Sequence, residues 1–99
     1  MTGSVVLVVG FSARADSVEE LRERLLGIVD RTRVEEGCLR YDLHSHADAP
    51  LRLTFVEEWA TPEAHAAHDL TPWVLDLREH LPALLADAVQ VTRLARLEP

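Results

Sequence analysis

The chain contains no lysine and no asparagine among its 99 residues, and its only cysteine is Cys38. Without lysine, the protein cannot form a Schiff base with a carbonyl substrate. A single cysteine cannot form an internal disulfide, and a free thiol fits a reducing compartment. We therefore expect a cytoplasmic protein that uses neither lysine chemistry nor disulfide stabilisation.

Positive charge is also scarce, because 17 acidic residues oppose 10 arginines and leave a net charge of −7. A protein that binds nucleic acid or an anionic membrane surface needs clustered cations. The apolar run at residues 4–11 is too short to span a bilayer, and it has no basic leader or cleavage site. We expect no nucleic acid partner, no membrane partner and no signal peptide.

Motifs for phosphate binding, metal binding and nucleophilic catalysis are missing too. The sequence has no glycine-rich phosphate loop and no C-x-x-C, H-E-x-x-H or G-x-S-x-G pattern. His44 and His46 share a strand face, and His65 and His68 share a helix face, but a zinc site normally needs three or four ligands. We predict no bound metal and no cofactor.

Hydrophobic periodicity predicts the element order βαββαβ. The first strand has apolar residues at both its odd and its even positions, which is typical of a central strand that is covered on both faces. Alternation along the next two strands indicates an antiparallel hairpin. The first half of the chain is predicted to form a strand at 4–11, a helix opened by a Ser17–Glu20 capping box, and strands at 38–46 (with Leu39, Tyr41 and Leu43 on one face) and 51–59. A helical segment then begins at Thr61 and Pro62, pauses at Asp69–Leu70, restarts at Thr71–Pro72 and bends or ends at Pro82. The last predicted strand is marked by Val89, Val91, Ala95 and Leu97.

This order is that of the ferredoxin-like α+β fold, a four-stranded antiparallel sheet with two helical segments on one face. Its length suits one domain at residues 1–99. The other face would expose valines of the first strand, together with Val56 and Leu94. Because burial of a valine is worth roughly 1.5–3 kcal/mol, we expect a homodimer packed sheet against sheet.

One stretch brings candidate site residues together. Phe55, Glu57 and Trp59 alternate and so share one strand face. His65 and His68 are three residues apart on the following helix and share one of its faces. The stretch predicts the wall of a pocket; the alternative is a core tryptophan with two solvated histidines.

Two further side chains each allow two interpretations. Glu57, beside Trp59, is either buried with a raised pKa or satisfied by a helix terminus or an arginine. Tyr41 either donates a phenolic hydrogen bond into the pocket or packs against it.

Three motifs together resemble the antibiotic biosynthesis monooxygenase domain: R-x-E-E-G-C-L-x-Y at 33–41, F-x-E-x-W at 55–59 and A-x-x-x-H at 64–68. Members of that family are ferredoxin-like and pair into dimeric α+β barrels. They include quinol and anthrone monooxygenases that use O2 without metal or flavin, haem-degrading enzymes and proteins of unknown role.

The resemblance also implies residue roles. Trp59 matches the family's strand tryptophan, and His68 matches its helix histidine. Haem-degrading members combine these two with an asparagine, whereas this chain has none. Anthrone-oxidising members carry a polar side chain where Phe55 stands.

These observations together predict a small cofactor-independent monooxygenase that oxidises an electron-rich aromatic with O2, either a hydroquinone or an anthrone. The alternatives are a binding protein for a polyketide-like or haem-like ligand, and a dimeric stress or interaction module with a vestigial pocket. The expected roles are His68 as base or anion partner, Trp59 stacked on the substrate ring, Tyr41 orienting a substrate oxygen, and Leu53, Phe55, Glu57 and His65 binding the substrate.

Overall fold

The computed structural model describes residues 3–99, which form four strands and four helices. In chain order they are β1 (Val5–Ser12), α1 (Val18–Leu26), α2 (Val29–Arg33), β2 (Cys38–His46), β3 (Ala49–Trp59), α3 (Pro62–His68), α4 (Pro72–Leu84) and β4 (Gln90–Leu94). The strands form one antiparallel sheet in the order β2-β3-β1-β4. The predicted ferredoxin-like fold is confirmed, and so is the pause that divides the second helical segment into α3 and α4. The first helical segment is also divided, into α1 and α2, which the sequence did not predict.

Helices α3 and α4 begin as their sequences predict. Thr61 Oγ1 accepts a hydrogen bond from the Ala64 N–H at 3.0 Å, and Thr71 Oγ1 accepts one from the Val74 N–H at 3.4 Å. A proline follows each cap, where its missing N–H costs nothing. None of the helices described for residues 3–99 is long and apolar enough to cross a bilayer.

Helix α1 begins without the predicted capping box. Ser17 occupies the N-cap, but its side chain makes no cap hydrogen bond; its hydroxyl donates to the Asp16 carboxylate at 3.1 Å. Glu20 pairs instead with Arg24, one turn later, at 3.0 Å. Both side chains of the predicted capping box therefore bond to neighbouring side chains, and neither bonds to a backbone amide at this helix start.

Strand β2 departs from simple alternation at Leu39. The residues on either side of it pair with Trp59 and Glu58, which are consecutive, so Leu39 is the extra residue of a β-bulge. The predicted placement of Leu39 beside Tyr41 on the core face is wrong, since Leu39 is 60 % exposed. After the bulge, Tyr41 pairs with Glu57 of β3, and its side chain is buried on the helix-covered face of the sheet.

Two element ends also differ from the prediction. Pro82 lies inside α4, which ends only two residues later at Leu84. A proline this close to a helix end removes one hydrogen bond without preventing the last turn. β4 ends at Leu94, so Ala95 and Leu97 lie beyond the strand.

The helices cover one face of the sheet, where the core lies. On the other face, Val6, Val8 and Val56 are half-buried and Leu94 is exposed. The most completely buried side chains of the core are Leu7, Leu21, Leu25, Leu53, Phe55 and Trp59.

Candidate functional site

A cavity of about 440 Å³ lies between the helix-covered face of the sheet and helices α3 and α4. Its volume falls within the roughly 300–1,000 Å³ range of small-molecule sites. Most of its wall is apolar and includes Leu7, Val9, Phe11, Phe55, Leu77 and Val91. Its polar part consists of Tyr41, Glu57, His65, His68, Asp69 and Arg78.

His68, the last residue of α3, is only 4 % exposed. Its Nδ1 lies 3.0 Å from Oε2 and 3.2 Å from Oε1 of Glu35. Because a carboxylate can only accept, this contact favours the ring form in which Nδ1 carries a proton. In the neutral ring, Nε2 is then the nitrogen that can accept a proton.

Glu35 itself is held from a second direction. The Trp73 indole N–H donates to Glu35 Oε2 at 3.1 Å. Trp73 lies in the first turn of α4, so this carboxylate connects the segment before β2 to both α3 and α4. Neither residue received a role from the sequence; the only signal was the position of Glu35 within the motif at 33–41.

Aromatic rings surround the His68 imidazole. The Trp59 ring centroid is 4.7 Å away at an interplanar angle of 36°, and the Tyr41 centroid is 5.3 Å away at 65°. Trp59 is completely buried and does not line the cavity. The indole of Trp59 therefore has no face open to the cavity on which a substrate ring could stack as expected. It packs instead against the His68 imidazole, on the side away from the cavity.

Glu57 is buried, at 4 % exposure, and lines the cavity. Its Oε1 accepts the Trp59 indole N–H at 3.0 Å, so the partner is neither a helix terminus nor an arginine. Burial raises the pKa of this carboxyl above its ordinary value; the Trp59 hydrogen bond and the charge of His68 oppose the shift without cancelling it. Glu57 is therefore buried, as one of the two interpretations from the sequence expected, and an indole rather than a helix terminus or an arginine satisfies its carboxylate.

Tyr41 packs its ring 4.3 Å from that of Phe55 and lines the same cavity. Burial, followed by the nearby Glu57 carboxylate, raises the pKa of its phenol well above the ordinary value. Tyr41 therefore keeps its proton at neutral pH and can donate a hydrogen bond to a ligand oxygen.

His65 lies one turn before His68, and the two rings stack with centroids 6.2 Å apart. Burial lowers the pKa of His65, against the opposing charge of Asp69, whose Oδ1 is 3.8 Å from Nε2. Asp69 also forms an ion pair with Arg78 at 3.0 Å. This part of the wall therefore presents an imidazole with a lowered pKa beside the ion pair of Asp69 and Arg78.

The structure brings five of the seven predicted site residues to the cavity: Tyr41, Phe55, Glu57, His65 and His68. Trp59 and Leu53 lie behind the wall, and Leu53 is 2 % exposed in the core. No group of three or more His, Cys, Asp or Glu side chains within residues 3–99 is arranged to hold a metal ion. Burial, with the charges of Glu35 and Glu57, raises the pKa of the Cys38 thiol, which opposes formation of a thiolate.

Comparison with known proteins gives consistent matches along the chain. Residues 4–80 match the family model described as antibiotic biosynthesis monooxygenase. The protein named "Putative monooxygenase Rv0793" from Mycobacterium tuberculosis is 35% identical over 98 residues, which cover 99% of this chain and 96% of that protein.

Two solved structures agree with this comparison. The structure of Rv0793 superposes with a TM-score of 0.91 at 33% identity, covering 98% of each chain. PA3566 from Pseudomonas aeruginosa superposes with a TM-score of 0.93 at 30% identity, covering 99% of this chain and 98% of that chain.

Proposed function

The chain belongs to the antibiotic biosynthesis monooxygenase family, and on that premise we propose that it oxidises an electron-rich aromatic, of hydroquinone or anthrone type, with O2 and without a cofactor. The observation that carries the proposal is the burial of His68 and Glu57 at the polar end of an otherwise apolar cavity. A planar aromatic ring would lie against the apolar wall, with its oxygen substituent at the polar end.

His68 is the base in this proposal. Its Nε2 takes the acidic proton of the substrate, and Glu35 stabilises the buried imidazolium that results. The substrate anion then transfers one electron to O2, and the two radicals combine into a peroxide on carbon. In an anthrone, loss of water from the peroxide leaves a carbonyl, so that a ring CH2 and O2 become C=O and H2O. In a hydroquinone the peroxide forms on a ring CH, and loss of water gives a hydroxyquinone.

Glu57 and Tyr41 assist at the oxygen atoms of the substrate. A carboxyl with a raised pKa holds a proton at higher pH than an exposed glutamate, so Glu57 can protonate the departing hydroxide. Tyr41 donates a hydrogen bond that orients the ring oxygen. The apolar wall excludes water, which would otherwise compete for the intermediates.

We also propose that the protein is a homodimer, with the open face of the sheet as the interface. The support is the row of Val6, Val8 and Val56, only half-buried in one chain, beside the exposed Leu94. These strands leave a continuous apolar strip that a second sheet would cover.

Oxygen consumption with a panel of hydroquinones and anthrones tests the proposed activity. His68→Ala should lower the rate by roughly 10²–10⁴-fold, the usual contribution of a general base. His80→Ala is the matched control, because His80 lies on α4, has a side chain that is 39 % exposed and does not line the cavity; it should retain the wild-type rate.

Equal rates for the wild type and His68→Ala on every accepted substrate would rule out His68 as the base. A wild type that consumes no oxygen with any member of the panel would contradict turnover itself. The cavity would then belong to a binding protein, and equilibrium binding of the same aromatics would be the next measurement.

A further inference from the structure

Three side chains from separate parts of the chain form a continuous hydrogen-bonded series, Trp73–Glu35–His68. We propose that Glu35 is a positioning residue: anchored by Trp73, it holds His68 as the Nδ1–H tautomer and so leaves Nε2 to take the substrate proton. This inference rests on the proposed role of His68 as the base.

The distances support a fixed arrangement. Oε2 of Glu35 lies 3.0 Å from His68 Nδ1 and 3.1 Å from the Trp73 indole nitrogen, and Oε1 lies 3.2 Å from the same Nδ1. An indole nitrogen can only donate, so Glu35 receives hydrogen bonds from two directions. A carboxylate held by two donors from different helices has little freedom to rotate away from the imidazole.

Burial gives this arrangement its energetic importance. The His68 and Glu35 side chains are 5 % and 12 % exposed, so water cannot replace a lost partner easily. Trp59 and Tyr41 cover the imidazole with their rings. Among the hydrogen bonds of residues 3–99, Glu35 provides the only partner of the His68 imidazole, and therefore the only charge that is hydrogen-bonded to an imidazolium formed during reaction.

Glu35 itself does not line the cavity. A substrate would touch His68 but not Glu35, which separates the role of this carboxylate from substrate binding. Its removal should therefore lower kcat and leave KM almost unchanged.

The direct test is nitrogen NMR of histidine-labelled protein, in which protonated and unprotonated ring nitrogens have different shifts. His68→Gln assigns the signal. In the wild type with neutral imidazole, His68 should be the Nδ1–H tautomer. Glu35→Leu removes the acceptor at similar volume and should shift the ring toward the Nε2–H tautomer, whereas Glu35→Gln should keep Nδ1–H because its amide oxygen still accepts.

Kinetics give a second measurement on the same variants. Glu35→Leu should lower kcat about 10–100-fold, as loss of the partner behind a functional histidine does in metal sites. Glu35→Gln should recover part of this loss, and Trp73→Phe should lower kcat by roughly 2–10-fold, the value of one hydrogen bond. Glu36→Gln is the matched control, since Glu36 is exposed and adjacent; it should match the wild type in both measurements.

An Nε2–H tautomer in the wild type would overturn the proposal, and so would an unchanged tautomer in folded Glu35→Leu. If Glu35→Leu does not fold, the wild-type tautomer and the Glu35→Gln kinetics still decide. The NMR result does not depend on turnover. If no aromatic is oxidised, the proposed function fails while the positioning role of Glu35 is still tested by the spectrum.

Discussion

Glu35 and Glu57 bond to the neighbouring rings of His68 and Trp59, respectively, and differ in their surroundings. Glu35 accepts hydrogen bonds from His68 and Trp73, whereas the side chain of Glu57 accepts one from Trp59. With fewer donors, burial dominates at Glu57 and raises its pKa. In the proposed mechanism the two residues have different tasks: Glu35 holds the base in position, and Glu57 donates a proton.

The raised pKa of Glu57 makes a prediction about stability and pH. Between the ordinary glutamate pKa of 4.5 and the higher pKa in the folded protein, the native state binds more protons than the unfolded state. The contribution of Glu57 to the free energy of unfolding therefore falls as pH rises through that window. Glu57→Gln keeps an acceptor for the Trp59 indole but cannot ionise, so the variant should gain stability relative to the wild type as pH rises above 4.5.

Urea unfolding of both proteins from pH 4.5 to pH 8 measures this difference. Glu79→Gln is the control, since Glu79 is exposed on α4; its curve should run parallel to that of the wild type. A constant difference between Glu57→Gln and the wild type across the range would contradict the raised pKa.

At the scale of elements, the start of β2 depends on one glycine. Gly37 has φ of +81°, and its carbonyl accepts the Ala60 N–H at 2.7 Å. A Cβ at this position would lie 2.5 Å from the Ala64 Cβ on α3. The turn into β2 and the first turn of α3 can approach this closely only because Gly37 has no side chain.

Gly37→Ala should therefore destabilise the protein. The left-handed backbone alone costs roughly 1–2 kcal/mol for a residue with a Cβ, and the contact with Ala64 adds to it. Gly3→Ala is the matched control, because nothing lies within 4 Å of the added methyl group. Thermal and urea unfolding should show a loss for Gly37→Ala only; equal stability of the two variants would mean that the turn rearranges freely.

At the scale of the whole molecule, the sheet has two unlike faces. The helix-covered face contains the core and the cavity, and the open face carries Val8 directly opposite Val56. Within residues 3–99, the helices lie on the other face, and no further helix or strand covers that strip. Association through the open faces would bury it and leave the cavity on the outer side of each sheet.

Val8→Glu tests the proposed dimer. A charge in the centre of the strip should separate the subunits, while a solvated glutamate on the open face of one chain should leave it folded. Sedimentation equilibrium at micromolar concentration should give about twice the 11.1 kDa chain mass for the wild type and the single-chain mass for the variant. Val34→Glu is the control, since Val34 is 85 % exposed outside the sheet. A monomeric wild type would contradict the dimer.

Local patterns in the sequence determined the element order, the β2–β3 hairpin and the starts of α3 and α4. Each depends on residues close in the chain: alternation reports which strand face is buried, and Thr61 and Thr71 bond amides three residues later. The prediction of a capping box failed because it used residue spacing alone, whereas the Ser17 hydroxyl bonds Asp16 and Glu20 pairs with Arg24.

Only the tertiary structure decided how the polar end of the cavity is built. Glu35 is 33 residues from His68 and 38 from Trp73 along the chain, so no periodicity relates them. The sequence identified Trp59 as a site residue, but it could not predict whether the indole ring faces the cavity or packs behind the cavity wall. In the folded protein the Trp59 ring packs behind His68, and its N–H donates to Glu57. A large indole at the end of a central strand is most stable when α3 and the sheet bury it completely.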